Sequence, residues 1–362
     1  MNIQKSSGLG KIVSSSIKLF LILISTSLAL SSCTNRDFKI AQALSEEAER
    51  LNELNENVSL DIYNSCVRSN NWLNRDTSQT GQNIRDGLEQ CDQIYRSNSD
   101  RARIVGQLLV GYVEAIGELT VGREEEVQAK FESIGASLKE LRVETGNSTL
   151  QFTDDTINTG VNIATFLTNL LLTDFRRRNI KVAVVCTDPD IQSYSMGFTS
   201  FIDEIYMQGQ LDDEIDSITR YYLQTNLLSD VITQPLSPES APELQNTQDR
   251  RNAELRDELL KVTDRKNTAS TYINLIQATA ATHANLKRIF NDGKDEISPE
   301  QTAKCNRYFA QDETKTNMKA VETDFPNQEM SQFELEQARK EVDAYIERVT
   351  PLLESLDLKP TH

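Results

Sequence analysis

The chain has 362 residues, of which 26% are charged and 38% apolar, yet only 14 are Gly and 8 are Pro. So few turn-forming residues exclude collagen-like, Gly/Ser-flexible and Pro-rich disordered chains and argue against an all-β sandwich, while a single apolar segment near the N-terminus argues against a multi-span membrane protein. The formal net charge of −17 makes the chain a poor ligand for nucleic acid and repels it from anionic lipid surfaces. The expected fold is all-α: an elongated bundle of long amphipathic helices with coiled-coil-like packing through narrow apolar stripes, stapled by disulfides.

Lys5, Lys11 and Lys18 precede the apolar run Leu19 to Leu30 with no acid among them. This is the pattern of a secretion signal, too short to span a bilayer. Leu30, Ser31, Ser32 and Cys33 follow, and they resemble the lipobox of bacterial lipoproteins, in which lipid is attached to the cysteine thiol and cleavage falls just before it. The resemblance covers residues 1–33 alone. It implies a signal peptide over 1–32, acylation of Cys33 as the mature N-terminus, and a lipid anchor in a bacterial envelope. Thr34, where an aspartate would retain the protein at the inner membrane, implies the periplasmic face of the outer membrane. Loss of the three signal lysines takes the formal charge from −17 to −20.

Residues 33–36 form a short tether, and from Phe38 apolar residues recur at helical steps through Ile40, Leu44, Ala48, Leu51, Val58, Ile62 and Cys66. A turn-rich stretch, Asn74 to Gly81, separates this helix from a second over Gln82 to Leu119. Gly106, Gly111, Gly117 and Gly122 mark close packing or kinks. A third, charged helix spans Arg123 to Glu144. In the fourth, capped by Ser148 and running to Phe175, the apolar stripe is broad enough for a central helix contacted from two sides.

The β-branched run Ile180 to Cys186 has the composition of a short strand, but the preferred reading is that it ends a helix before Asp188-Pro189-Asp190, and two further helices are expected over Ile191 to Gln208 and Leu211 to Ile232. Pro235, Pro238 and Pro242 define a Pro-rich loop over 235–246, between an N-terminal helical part (37–234) and C-terminal helices (247–362) packed on the same body. Thr247 to Asn291 reads as a very long helix stopped by Gly293. A short helix starts at Ser298-Pro299-Glu300 and carries Cys305, and the last starts near Ser331.

Apart from Cys33 there are four cysteines, Cys66, Cys91, Cys186 and Cys305, in a compartment that permits disulfides. Cys66 and Cys91 flank the Asn74–Gly81 turn almost symmetrically, which favours a staple across that hairpin and leaves Cys186 for Cys305. Neither His283 nor His362 stands at a metal-ligand spacing from a cysteine, so no zinc site is expected. Asn291 to Gln301 has the look of half a calcium loop, but Arg288, Phe290 and Pro299 occupy ligand positions, and a helix stop followed by a new N-cap fits better. Asp212, Asp213 and Glu214 read as N-terminal helix acids.

Catalytic signatures are absent, and His283, the one interior histidine, sits on a helix seam as a packed residue rather than a general base. No cofactor or metal is implied. Arg176, Arg177 and Arg178 form the one dense basic cluster and are the candidate contact for lipid headgroups or an acidic partner. The leading expectation is a lipid-anchored, non-enzymatic envelope scaffold or adaptor with a protein partner. A membrane-active protein using residues 161–178 comes second, and an enzyme with an unrecognised site third.

Overall fold

The computed structural model describes residues 44, 46–73, 81–121, 124–144, 154–171, 178–230, 241–309 and 331–356, which are helical apart from the turn at 291–298 and the ends of the last segment, and contain no strand. Cys33, the signal peptide, the tether and Ser148 lie outside the described residues. Helix α1 covers 46–73. Helix α2 is a continuous run built of Gly81–Gln90, a π-helical turn Cys91–Tyr95, and Arg96–Val121. Helices α3 (Glu124–Glu144) and α4 (Asp154–Leu171) follow. Then come α5 (Arg178–Ser200), a π-helical segment Phe201–Leu211, and α6 (Asp212–Asp230). The C-terminal part holds α7 (Ala241–Phe290), α8 (Pro299–Phe309) and α9 (Gln332–Glu354).

Three expectations are corrected. Helix α5 does not end before Asp188-Pro189-Asp190 but runs through Pro189. A proline inside a helix removes one N–H and pushes its ring against the carbonyl four residues back, at a cost of about 3 kcal/mol. Tertiary packing offsets that cost: Val182, Ala183, Val185 and Cys186 before the proline and Ile191, Tyr194 and Phe198 after it are all buried. Side chains also serve carbonyls of the disturbed turn, Thr187 Oγ1 donating to Ala183 at 2.7 Å and His283 Nε2 to Val184 at 3.0 Å.

The second correction concerns the break expected between Gln208 and Leu211. The chain stays helical there, with Ser200 and Asp212 both in right-handed helical conformation at the ends of the π segment. Third, α7 begins at Ala241, so residues 241–246 of the expected loop are its first turns. Pro242 is tolerated because an N–H in the first turn of a helix has no intrahelical acceptor. Residues 235–240 lie outside the described residues.

Helix α7, with 50 residues, is the spine. At 1.5 Å per residue it is about 75 Å long. Helices α5, α6 and α9 pack along it, and α2, α3, α4 and α5 pack in sequence beside one another. One apolar core joins them, running from Leu44 in the first described turn through Leu108, Leu138, Phe166 and Tyr194 to Leu353. Helix α4 supplies Ile157, Ile163, Ala164, Phe166 and Leu167 to it, and touches α3, α5, α8 and α2, as its broad stripe requires. At Gly106 a Cβ would lie 1.9 Å from Asn55 Oδ1 and 2.6 Å from Tyr272 OH, so α2 approaches α1 and α7 as closely as it does only because the side chain is missing.

The helix ends obey local chemistry. Asp292 and Gly293 take the left-handed conformation (φ 54° and 77°) and close α7. The Asn291 side chain donates to the Lys294 and Glu296 carbonyls, holding the turn to α8. Ser298 with Gln301, and Ser331 with Glu334, form reciprocal capping boxes.

Candidate functional sites

The structure pairs Cys66 with Cys91 (Cα–Cα 5.7 Å) and Cys186 with Cys305 (Cα–Cα 5.3 Å). The first bridge joins α1 to the π-helical turn of α2, and the Asn70 amide donates to Cys91 Sγ at 3.1 Å. The second spans 119 residues and ties α8 to α5. Arg176 and Arg177 lie outside the described residues, and Arg178 is described only as the first residue of α5.

His283 projects from α7 into the junction of α2, α5 and α9 and is 1% exposed. Its Nε2 is 3.0 Å from the Val184 carbonyl, which accepts, so Nε2 carries the proton. Nδ1 then accepts from the Tyr112 hydroxyl, which lies in close contact with it. Burial depresses the imidazole to about 4, against the opposing pull of Asp188, whose carboxylate is 3.9 Å away and which Lys287 neutralises at 3.0 Å. Beside the ring is a void of about 20 Å³ lined by Thr282, Tyr345 and Leu44, where the Thr282 hydroxyl has no protein partner among the described residues. That is room for one water. Both ring nitrogens are thus committed to internal bonds, in a packed rather than a solvent-facing position.

A second cluster was not anticipated from the sequence. Glu214, 2% exposed at its side chain, accepts from Arg68 Nε (2.9 Å), Arg265 Nη2 (2.7 Å) and Ser65 Oγ (2.8 Å). Asp61 accepts from Arg68 Nη2 (2.7 Å) and from the Tyr206 hydroxyl of the π segment (2.5 Å). Two carboxylates and two guanidiniums therefore alternate, balanced in charge, at the meeting of α1, the π segment, α6 and α7. A signal that would have found this region is the replacement of large apolar residues by Ser65 and Ser69 on the stripe Val58, Ile62, Ser65, Ser69, Trp72, which leaves room for Glu214 and Ser217.

A polar cleft of about 600 Å³ opens between α1, α2 and α3. Ala48, Val110 and Ile134 floor it, and Glu49, Asn52, Gln107 and Ser133 line its walls beside the Lys130–Glu114 ion pair. Burial lowers the Lys130 amine below its ordinary range. No group of three or more His, Cys, Asp or Glu able to hold a metal ion occurs among the described residues, and no described helix is long and apolar enough to cross a membrane. Comparison of the chain with protein-family models, characterised proteins and solved structures finds no match.

Proposed function

We propose that this protein is a lipid-anchored, non-enzymatic scaffold or adaptor of the bacterial cell envelope, binding another envelope component through its helical faces, with the periplasmic side of the outer membrane as its favoured site. The observation that carries this reading is the Leu30-Ser31-Ser32-Cys33 signature directly ahead of a long amphipathic bundle. Acyl chains contribute about 0.8 kcal/mol per buried CH₂, enough for a multiply acylated Cys33 to hold an acidic body at a membrane whose anionic surface repels it. The internal commitments of His283, Asp61 and Glu214 support a structural use of these groups.

The burial of Ile163, Ala164, Phe166 and Leu167 in the bundle core supports a packed role for the described part of residues 161–178, ahead of a membrane-active one. Mass spectrometry of the mature protein tests the anchor. A diacyl- or triacyl-cysteine at Cys33 is expected, and an intact signal or a free Cys33 refutes it. Cys33→Ser should leave the membrane fraction or accumulate as precursor. Purified protein should leave liposomes sealed, and dye release at nanomolar protein would favour the membrane-active reading instead.

A further inference from the structure

Helix α8 is attached to the body unusually. Of residues 299–306 only Cys305 is buried; Gln301, Thr302 and Lys304 are half-buried and the others exposed. A helix of 11 residues is marginal by itself in water. It nevertheless lies against both α4 and α5. Its base is fixed, because Gln301 donates to the Asn291 side chain that organises the turn after α7. Its other end is held by the bond from Cys305 to Cys186, which are 3% and 4% exposed.

The register shows what lies beneath. Helices α4 and α5 are antiparallel: a Cβ on Gly160 would meet the Tyr194 ring at 2.6 Å, and one on Gly197 would meet Thr156 at 2.2 Å. Advancing equally along both helices from Gly160 and Tyr194 brings Thr168 level with Cys186. The bridge therefore sets α8 at the level of the C-terminal turns of α4 and the first turns of α5, where Leu167, Val182 and Ala183 belong to the main core together with Cys186 and Cys305.

We infer that α8 is a disulfide-held cover, and that reduction of Cys186–Cys305 opens it and exposes the apolar face shared by α4 and α5. The reductant is a dithiol. Fraying of α8 bares the bridge; one reductant thiolate attacks Cys305 Sγ, giving a mixed disulfide and releasing the Cys186 thiolate, which takes up a proton. The second reductant thiol then displaces Cys305, which is protonated, and the reductant leaves as its own disulfide. The face uncovered comprises the described C-terminal part of α4 around Leu167 and Val182 and Ala183 of α5, so the redox state of one bridge governs whether it is accessible. The inference stands whether or not Cys33 is acylated.

Hydrogen exchange on the full chain tests it, comparing the oxidised protein, the protein in excess dithiothreitol, and the Cys186→Ser/Cys305→Ser variant. The α8 amides over 302–309 should exchange about a hundredfold faster without the bridge, while those around Leu108 and Leu275 keep their protection. Fluorescence of an apolar dye should rise in the same two samples. Cys66→Ser/Cys91→Ser, which retains the second bridge, should keep α8 protected. Unchanged protection of α8 without its bridge would show that packing holds it. Loss of protection at Leu108 and Leu275 together with α8, or failure of the variant to fold, would show a staple of the whole body; either result overturns the cover.

Discussion

Replacing His283 should change how stability depends on pH more than it changes stability at neutrality. The imidazole is neutral in the folded protein because protonation would place a charge at a 1% exposed site and put a second proton on Nδ1, where Tyr112 already donates. Its folded value of about 4 lies below the ordinary 6.5. Between these two values the unfolded chain binds a proton that the folded chain refuses, so unfolding gains free energy as pH falls through this window, and the loss is complete below about 4. Between pH 7 and 4.5 the difference amounts to about 2 kcal/mol.

Asp190 works in the opposite direction. Burial raises it to about 6, so the folded state takes up its proton before the unfolded chain does, and acid favours the fold through that group. The wild-type profile is therefore flatter than His283 alone would make it, and the comparison with His283→Gln isolates the imidazole, since the amide keeps a donor for the Val184 carbonyl. Urea unfolding of both proteins at pH 7 and 4.5, disulfides intact, gives the measurement. The variant should lose about 2 kcal/mol less than wild type on acidification. Equal losses in the two proteins would refute the account of a buried neutral imidazole.

Gly106→Ala should destabilise by about 2 kcal/mol in urea titration, because the new methyl overlaps Asn55 and breaks its 2.9 Å bond from the Tyr272 hydroxyl. Glu214→Ala should cost about 3 kcal/mol by the same assay, as Arg68 and Arg265 lose their shared buried acceptor, whereas Arg68→Ala, whose side chain is 31% exposed, should cost less. Limited proteolysis should cut within Pro235 to Ser240, and the fragments should co-elute even after mild reduction, because α7 packs on α5 and α6 across the cut without help from a covalent bond. Fragments that separate and stay folded would show two independent domains.

Local pattern was enough to read the helical class, the order of most helices, the stops at Gly293 and the starts at Ser298 and Ser331, because apolar periodicity, left-handed closure and side-chain capping act over one or two turns. The pairing of Cys66 with Cys91 was legible for a similar reason, as both flank one short turn. Pro189 was misleading: its local penalty is real, but the burial of α5 on both sides of it, and the donor that His283 brings to the Val184 carbonyl, come from contacts far away in sequence. The same holds for Glu214, which locally is one of three acids opening a helix and becomes a buried acceptor only when Arg68 and Arg265 arrive from other helices. Periodicity shows which face of a helix turns inward. Which charged groups that face will meet, and whether they are buried in balance, is decided only by the three-dimensional register of the packed helices, since electrostatic compensation depends on distances that no local pattern encodes.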